Sequence, residues 1–171
     1  MKFNLSGLYV ITAKHLMPGD SLLNKVESSL KGGARVVQLR DKDSSKSEII
    51  DQGKKLLELT KKYRVPLIIN DSPEIAREIG ADGVHIGMGD SDISFVREIL
   101  GNDSIIGVSC YDDLNRGQMA EKMGADYVAF GTPYDTPTKP GRKKTHIFRD
   151  TYQGIAVNKN PGFCHWWYIS S

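Results

Sequence analysis

PLIINDSPEIAREIGADGVHIG, Pro66 to Gly87, decides the fold. Its first apolar run, PLII, ends on Asn70-Asp71, and Ser72 with Pro73 then marks a helix start, a side-chain cap followed by a residue pre-set for the first turn. The helix stops at Gly80, and a second short apolar run, GVHI, follows at once. This is a strand, a helix and a strand, with the polar residues gathered just after the first strand.

The joint from helix to strand recurs along the chain: GGARVVQL from Gly32, GADGVHI from Gly80 and GADYVAF from Gly124. Loops between helix and strand favour Gly in general, but recurrence of the whole joint argues for equivalent units around a closed barrel. Six short runs rich in Val and Ile (GLYVIT, RVVQL, PLIIN, DGVHIG, SIIGVS, DYVAF) read as buried parallel strands. Helical spacing fills the intervals. In SEIIDQGKKLLELTKKY, Ile49, Gly53, Leu56, Leu57 and Thr60 share one face, leaving Lys54, Lys55, Lys61 and Lys62 to water. An open doubly wound sheet is the rival, but no dinucleotide-type glycine fingerprint follows GLYVIT, and GMGD at Gly87 to Asp90 is too short to serve. The expectation is therefore an α/β fold, a TIM-type (β/α) barrel left incomplete. About six units are used by Pro140, so residues 1–140 form the barrel portion and 141–171 a tail with room for little more than one unit.

Composition narrows the function. With 23 basic and 21 acidic residues the formal charge is +2, far from the excess that nucleic-acid binding on electrostatics alone requires, so any anion is met locally. Cys110 and Cys164 form neither a CxxC site nor a disulfide framework, which fits a reducing cytoplasm. The run GLYVITA is broken by Lys14 and His15 and is too short to span a membrane.

Active sites of such barrels collect at the C-terminal ends of the strands. Gln38, Arg40 and Lys42 alternate in QLRDK, so an extended backbone points all three one way. Asn70 and Asp71 follow the third run, Asp90 the fourth and Ser109 the fifth; the loop TPYDTPTKP after the sixth carries Thr136, Thr138 and Lys139. A turn, a helix cap or a solvated loop explains each one alone. Cations and two carboxylates recurring at strand end after strand end suit a diphosphate held partly through Mg²⁺, which prefers a few carboxylate oxygens together with phosphate and water. His85 is expected to be a packed strand residue and Cys110 a small buried filler. Ser109, with no nearby His in the sequence, is assigned hydrogen bonding to phosphate rather than nucleophilic attack.

Taken in order, GLYVIT, VVQLRDK, INDSPEIAREIGADGVHIGMGD, IIGVSCY and GADYVAFGTPYDTPTKP resemble thiamine-phosphate synthase (thiamine-phosphate diphosphorylase), collinearly from Gly7 to Pro140. The resemblance implies a transferase on a (β/α) barrel. It would displace diphosphate from hydroxymethylpyrimidine diphosphate and couple the pyrimidine to the ring nitrogen of hydroxyethylthiazole phosphate. It also implies that Gln38, Arg40, Lys42, Asn70, Ser109 and Lys139 contact the pyrimidine diphosphate, with Arg40, Lys42, Ser109 and Lys139 in the catalytic set. Asp71 and Asp90 would hold Mg²⁺, and Thr136 and Thr138 would meet the thiazole phosphate. Two other readings are a thiazole tautomerase of similar fold, whose chemistry has no need of Lys42, Asp71, Asp90 and Lys139, and a non-catalytic phosphate-binding remnant.

Two departures stand out. Met88 occupies a position where the family usually has Gln. More seriously, the family continues after the TKP loop to a strand ending in an AIGGI-like phosphate-binding motif, whereas this chain ends in GFCHWWYISS. Trp has the single codon TGG, so Trp166-Trp167-Tyr168, moved forward by one nucleotide, must contain Gly-Gly, and CHWWY can encode AIGGI. The expectation is a frameshift between Pro140 and Thr145, an aberrant tail, and little synthase activity in the chain as written.

Overall fold

A computed structural model describes residues 3–18, 21–87, 92–111 and 113–131. Among the described residues six strands, β1 (Leu8–Ile11), β2 (Ala34–Leu39), β3 (Leu67–Asn70), β4 (Gly83–Ile86), β5 (Ile105–Tyr111) and β6 (Tyr127–Phe130), alternate with five α-helices. These are α1 (Ser21–Lys31), α2 (Lys46–Tyr63), α3 (Pro73–Ile79), α4 (Ile93–Leu100) and α5 (Leu114–Lys122). A 3₁₀ turn, Lys14–Leu16, follows β1.

Every strand pairs in parallel with its sequence neighbours, and the sheet order is β1-β2-β3-β4-β5-β6. A doubly wound sheet reverses order at a switch point; this one never does, as a barrel wall requires. Side chains alternate between two layers. On one face Val37, Leu39, Ile69, Val84 and Ile106 pack with Val26, Leu56 and Val96 of the helices. On the other, Val36, Ile68, Ile105 and Tyr127 form a second cluster with Phe3, Leu5 and Tyr9, which is the inner face of the curl. Fold class and the six units stand as read, and the barrel is incomplete among the described residues. Residues 132–171, with the expected tail and its CHWWY run, lie outside them.

The local signals also hold. Ser72 caps α3, accepting from Ile75 N at 3.2 Å, with Pro73 in the first turn. Ser45 and Glu48 form a reciprocal capping box on α2. On α2 the buried residues are Ile50, Gly53, Leu56, Leu57 and Thr60, so the apolar stripe begins at Ile50 and Ile49 only flanks it. The repeated joints use Gly80 and Gly124 at φ 75° and 90°, a left-handed exit closed to most side chains.

Their shared Asp has a role the pattern alone did not reveal. Asp82 Oδ2 accepts from Leu67 N at 2.8 Å, and Asp126 Oδ2 accepts from Ile106 N at 2.8 Å. Each carboxylate thus meets a backbone donor at the start of the neighbouring strand, where the ladder supplies no partner. Arg97 adds a charged contact to Asp126 at 2.9 Å and further bonds to the Ser104 and Gly124 carbonyls.

Candidate active site

Along β2 the inward positions are Val36 and Gln38, and along β3 they are Ile68 and Asn70, so apolar side chains fill the lower layer and amides the layer above. Gln38 is 2% exposed. Its Nε2 donates to Asn70 Oδ1 at 2.8 Å, and its Oε1 accepts from the Tyr9 hydroxyl at 3.3 Å. Tyr9 Oη lies 2.7 Å from Tyr127 Oη, which lies 3.0 Å from His85 Nδ1; His85 Nε2 is 2.9 Å from Ser109 Oγ. Asn70, Gln38, Tyr9, Tyr127, His85 and Ser109 come from β3, β2, β1, β6, β4 and β5, one residue from each strand. Buried polar groups need partners, and this row supplies them from one end to the other.

The row fits only because β5 is thin at its centre. Gly107 faces the Tyr127 ring, and a Cβ on Gly107 would collide with Tyr127 Cζ and Oη. The ring also stacks on His85 with centroids 5.5 Å apart and meets Tyr9 edge-on at 5.8 Å.

Beyond the row lies the rim. Arg40 is held through its backbone, its N donating to Thr12 Oγ1 at 2.9 Å, and its half-buried side chain helps line a cavity of about 250 Å³ with Thr12, Lys14 and Asp41. The extended run stops at Leu39. Asp41 Oδ1 accepts from Asp43 N and Ser44 N, both at 3.0 Å, and this turn brings Lys42 round to Asp71, so strand alternation does not place Lys42. Burial tends to raise the Asp41 carboxyl, but the bonds from Ser44 and Asp43, helped by Lys14, outweigh it and hold the pKa low.

Lys42 Nζ stands 3.1 Å from Asp71 Oδ2, the lysine exposed and the aspartate half-buried. Asp71 has φ 64°, a left-handed conformation that Asp tolerates better than most residues, and its N donates to His85 O at 2.8 Å. On the far side Arg116 braces two strand ends, its Nε donating to Ser109 O at 2.9 Å and its Nη2 to Gly87 O at 3.1 Å.

Of the residues picked from sequence, Gln38, Asn70 and Ser109 join the buried row, and Arg40, Lys42 and Asp71 occupy the rim beyond it. Asp90, Thr136, Thr138 and Lys139 lie outside the described residues, as does Met88. One expectation is corrected: Ser109 does have a His beside it, since parallel pairing of β4 with β5 brings His85 within hydrogen-bond distance. His85 is packed as expected, at 8% exposed, and is also bonded at both ring nitrogens. Cys110 is the buried filler anticipated, its thiol pushed up to about 11 by burial. Sequence reasoning misses Tyr9 and Tyr127. Their signal is an aromatic at an inward strand position facing a strand with a central Gly.

Among the described residues no group of three or more His, Cys, Asp or Glu side chains could hold a metal ion by itself. Asp71 at the rim fits a different demand, that of Mg²⁺, which takes one or two carboxylates and completes its shell with substrate oxygens and water.

The family described as thiamine monophosphate synthase matches residues 8–155, most of the chain and beyond Pro140. The chain belongs to that family. Thiamine-phosphate synthase of Marinobacter nauticus is 50% identical over 135 residues, 79% of this chain and 61% of that protein. Thiamine-phosphate synthase of Methylococcus capsulatus is 48% identical over 147 residues, 86% of this chain and 65% of its own length. The solved thiamine phosphate pyrophosphorylase of Pyrococcus furiosus superposes with a TM-score of 0.70 at 35% identity, covering 78% of this chain and 63% of that one. This thiamine monophosphate synthase family member therefore spans a little under two thirds of the curated relatives it matches.

Proposed function

We propose that the chain carries the pyrimidine diphosphate half of a thiamine-phosphate synthase site, for condensing hydroxymethylpyrimidine diphosphate with hydroxyethylthiazole phosphate to give thiamine phosphate and diphosphate. The observation that carries the reading is the meeting of Lys42 with Asp71 where β2 and β3 end, next to a buried row of amides and hydroxyls. Membership of the family supports it.

In this reading Arg40, Lys42 and Lys139 neutralise the diphosphate, and Ser109 bonds to it. Gln38 and Asn70 turn amide edges toward the pyrimidine, whose nitrogens and amino group need both donors and acceptors. Thr136 and Thr138 meet the thiazole phosphate. Asp71 and Asp90 would hold Mg²⁺, which when bound adds positive charge beside the leaving diphosphate. As the carbon–oxygen bond breaks, negative charge grows on the diphosphate, and cations already in place lower the barrier without reorganising. The thiazole ring nitrogen is a nucleophile as it stands, so no general base is required. The two cysteines and the small phosphorylated substrates suit a cytoplasmic setting, and no described helix is long and apolar enough to cross a membrane.

The tail reading belongs to the same proposal: restoring the frame after Pro140 supplies the glycine motif for the thiazole phosphate. The test mixes both substrates and Mg²⁺ with the chain as written and with the frame-restored chain, and measures thiamine phosphate. Little product from the first and ready turnover by the second is expected. Failure of the frame-restored chain to make any thiamine phosphate overturns the proposal.

A further inference from the structure

Helix α5 opens with a residue that its own position disfavours. Asp113 is the N-cap, its Oδ1 accepting from Arg116 N at 3.0 Å, which makes Arg116 the third residue of the helix. The first turn carries partial positive charge and favours an acid, and the third position is where a capping box takes Glu, as Glu48 does on α2. An arginine there works against the helix. Local rules are broken where another demand outweighs them, and the contacts of Arg116 show which demand that is.

The side chain turns back from the helix to the sheet. Its Nε donates to Ser109 O at 2.9 Å and its Nη2 to Gly87 O at 3.1 Å, so one planar group spans the ends of β5 and β4. Among the described residues no carboxylate pairs with it, in contrast to Arg97, which meets Asp126 near the starts of β5 and β6. The ladder is thin at the level of Ser109. β4 ends at Ile86, opposite Val108, and the pairing of β5 with β6 skips Cys110 between Ser109 and Tyr111, the latter at φ 56°. A bulge of this kind bends its strand and disrupts the ladder. Ser109 thus stands one residue beyond the pairing with β4 and at the last regular level of the pairing with β6. The guanidinium ties the two strand ends where the ladder stops. Its own backbone is anchored by the cap, and Asp113 N donates to Cys110 O at 2.9 Å, closing the turn from β5 into α5.

We infer that Arg116 is a positioning residue for anion binding. By tying Gly87 O to Ser109 O it fixes the backbone of Ser109, and with it the hydroxyl that meets a phosphoryl oxygen. Arg116 itself does not touch the ligand; it acts through Ser109. This rests on the proposed reading of Ser109 as a diphosphate contact.

The experiment titrates inorganic diphosphate with Mg²⁺ into the full chain by calorimetry. The proteins are the parent, Ser109→Ala, Arg116→Gln, Arg116→Lys and each arginine variant combined with Ser109→Ala, with circular dichroism confirming the fold of each. Losing the hydroxyl's bond to a charged oxygen should weaken binding by about tenfold in Ser109→Ala. Arg116→Gln and Arg116→Lys should each weaken it by as much, lysine included because one ammonium cannot bridge two carbonyls as the fork does. Adding Ser109→Ala to either should then cost less than about twofold, as expected of two residues that act as one. If Arg116→Gln does not fold, Arg116→Lys carries the cycle. An equal cost of Ser109→Ala in the parent and in the Arg116→Lys background overturns the inference, whether Arg116 then meets the anion directly or only steadies the fold. Binding by Arg116→Lys equal to that of the parent also overturns it, since charge alone would suffice. Diphosphate that binds the parent and Ser109→Ala alike removes Ser109 from the site and the inference with it, leaving the rest of the proposed function standing. A parent that does not bind diphosphate removes both.

Discussion

Gly107→Ala tests whether the buried row depends on the thinness of β5. The new methyl would occupy space held by Tyr127 Cζ and Oη, and Tyr127, 3% exposed and packed in the inner cluster, has nowhere easy to go. Overpacking a filled core costs about 1–3 kcal/mol. If the ring moves, its hydroxyl also leaves Tyr9 and His85, at about 1 kcal/mol for each bond. The sum is about 3–5 kcal/mol, a large share of the roughly 5–15 kcal/mol that holds a domain together. In urea unfolding with a slope near 2 kcal/mol/M, the midpoint should fall by about 2 M with the slope unchanged. Tyr127→Leu supplies the control: with the ring gone, adding Gly107→Ala should cost less than about 1 kcal/mol, giving a coupling of at least about 2 kcal/mol between the two sites. A variant that unfolds within about 0.5 kcal/mol of the parent, or a cost as large in the Tyr127→Leu background, refutes the reasoning.

Burial raises the Asp82 carboxyl above its ordinary value despite its bond from Leu67 N, so the folded state holds its proton more tightly than the unfolded chain. That contribution is fully present below the unfolded pKa, about 3.9, and is lost as pH rises through the folded value. Asp82→Asn, which lacks the charge, should therefore gain on the parent between pH 4 and pH 7 in paired urea titrations; a constant difference contradicts this. Cys110, its thiol at about 11, should resist a thiol reagent at pH 8 in the native protein and react once urea unfolds it, as peptide mapping separates it from Cys164. Equal labelling with and without urea argues against the burial. The coding DNA between Pro140 and Thr145 should show an open shifted frame that encodes AIGGI; a stop codon or another sequence there ends the frameshift reading.

The fold was largely legible because its signals are local. Ser72, Pro73, Gly80 and Gly124 act on backbone geometry within a few residues of themselves, and the sheet adopts the simplest order those units allow. The site was legible only in part, since strand ends announce themselves by composition but lateral neighbours do not. Nothing near Ser109 in sequence points to His85, 24 residues away, or links Tyr9 with Tyr127, 118 residues apart. Parallel pairing creates those neighbours. Lys42 shows the opposite difficulty: period-two counting placed it on a strand that had already ended, because the Asp41 turn depends on side-chain hydrogen bonds that alternation cannot register. The Asp of the GAD joints was visible as a repeat, yet its partner is the start of another strand.

The central claim is that the cations after β2 grip a diphosphate. Calorimetric titration of hydroxymethylpyrimidine diphosphate with Mg²⁺ into the parent and into Arg40→Ala/Lys42→Ala tests it most directly. Removing two charge-assisted hydrogen bonds to the diphosphate, at about 1.5 kcal/mol each, predicts an affinity about a hundredfold weaker in the variant. Equal affinity for the two proteins would contradict the account.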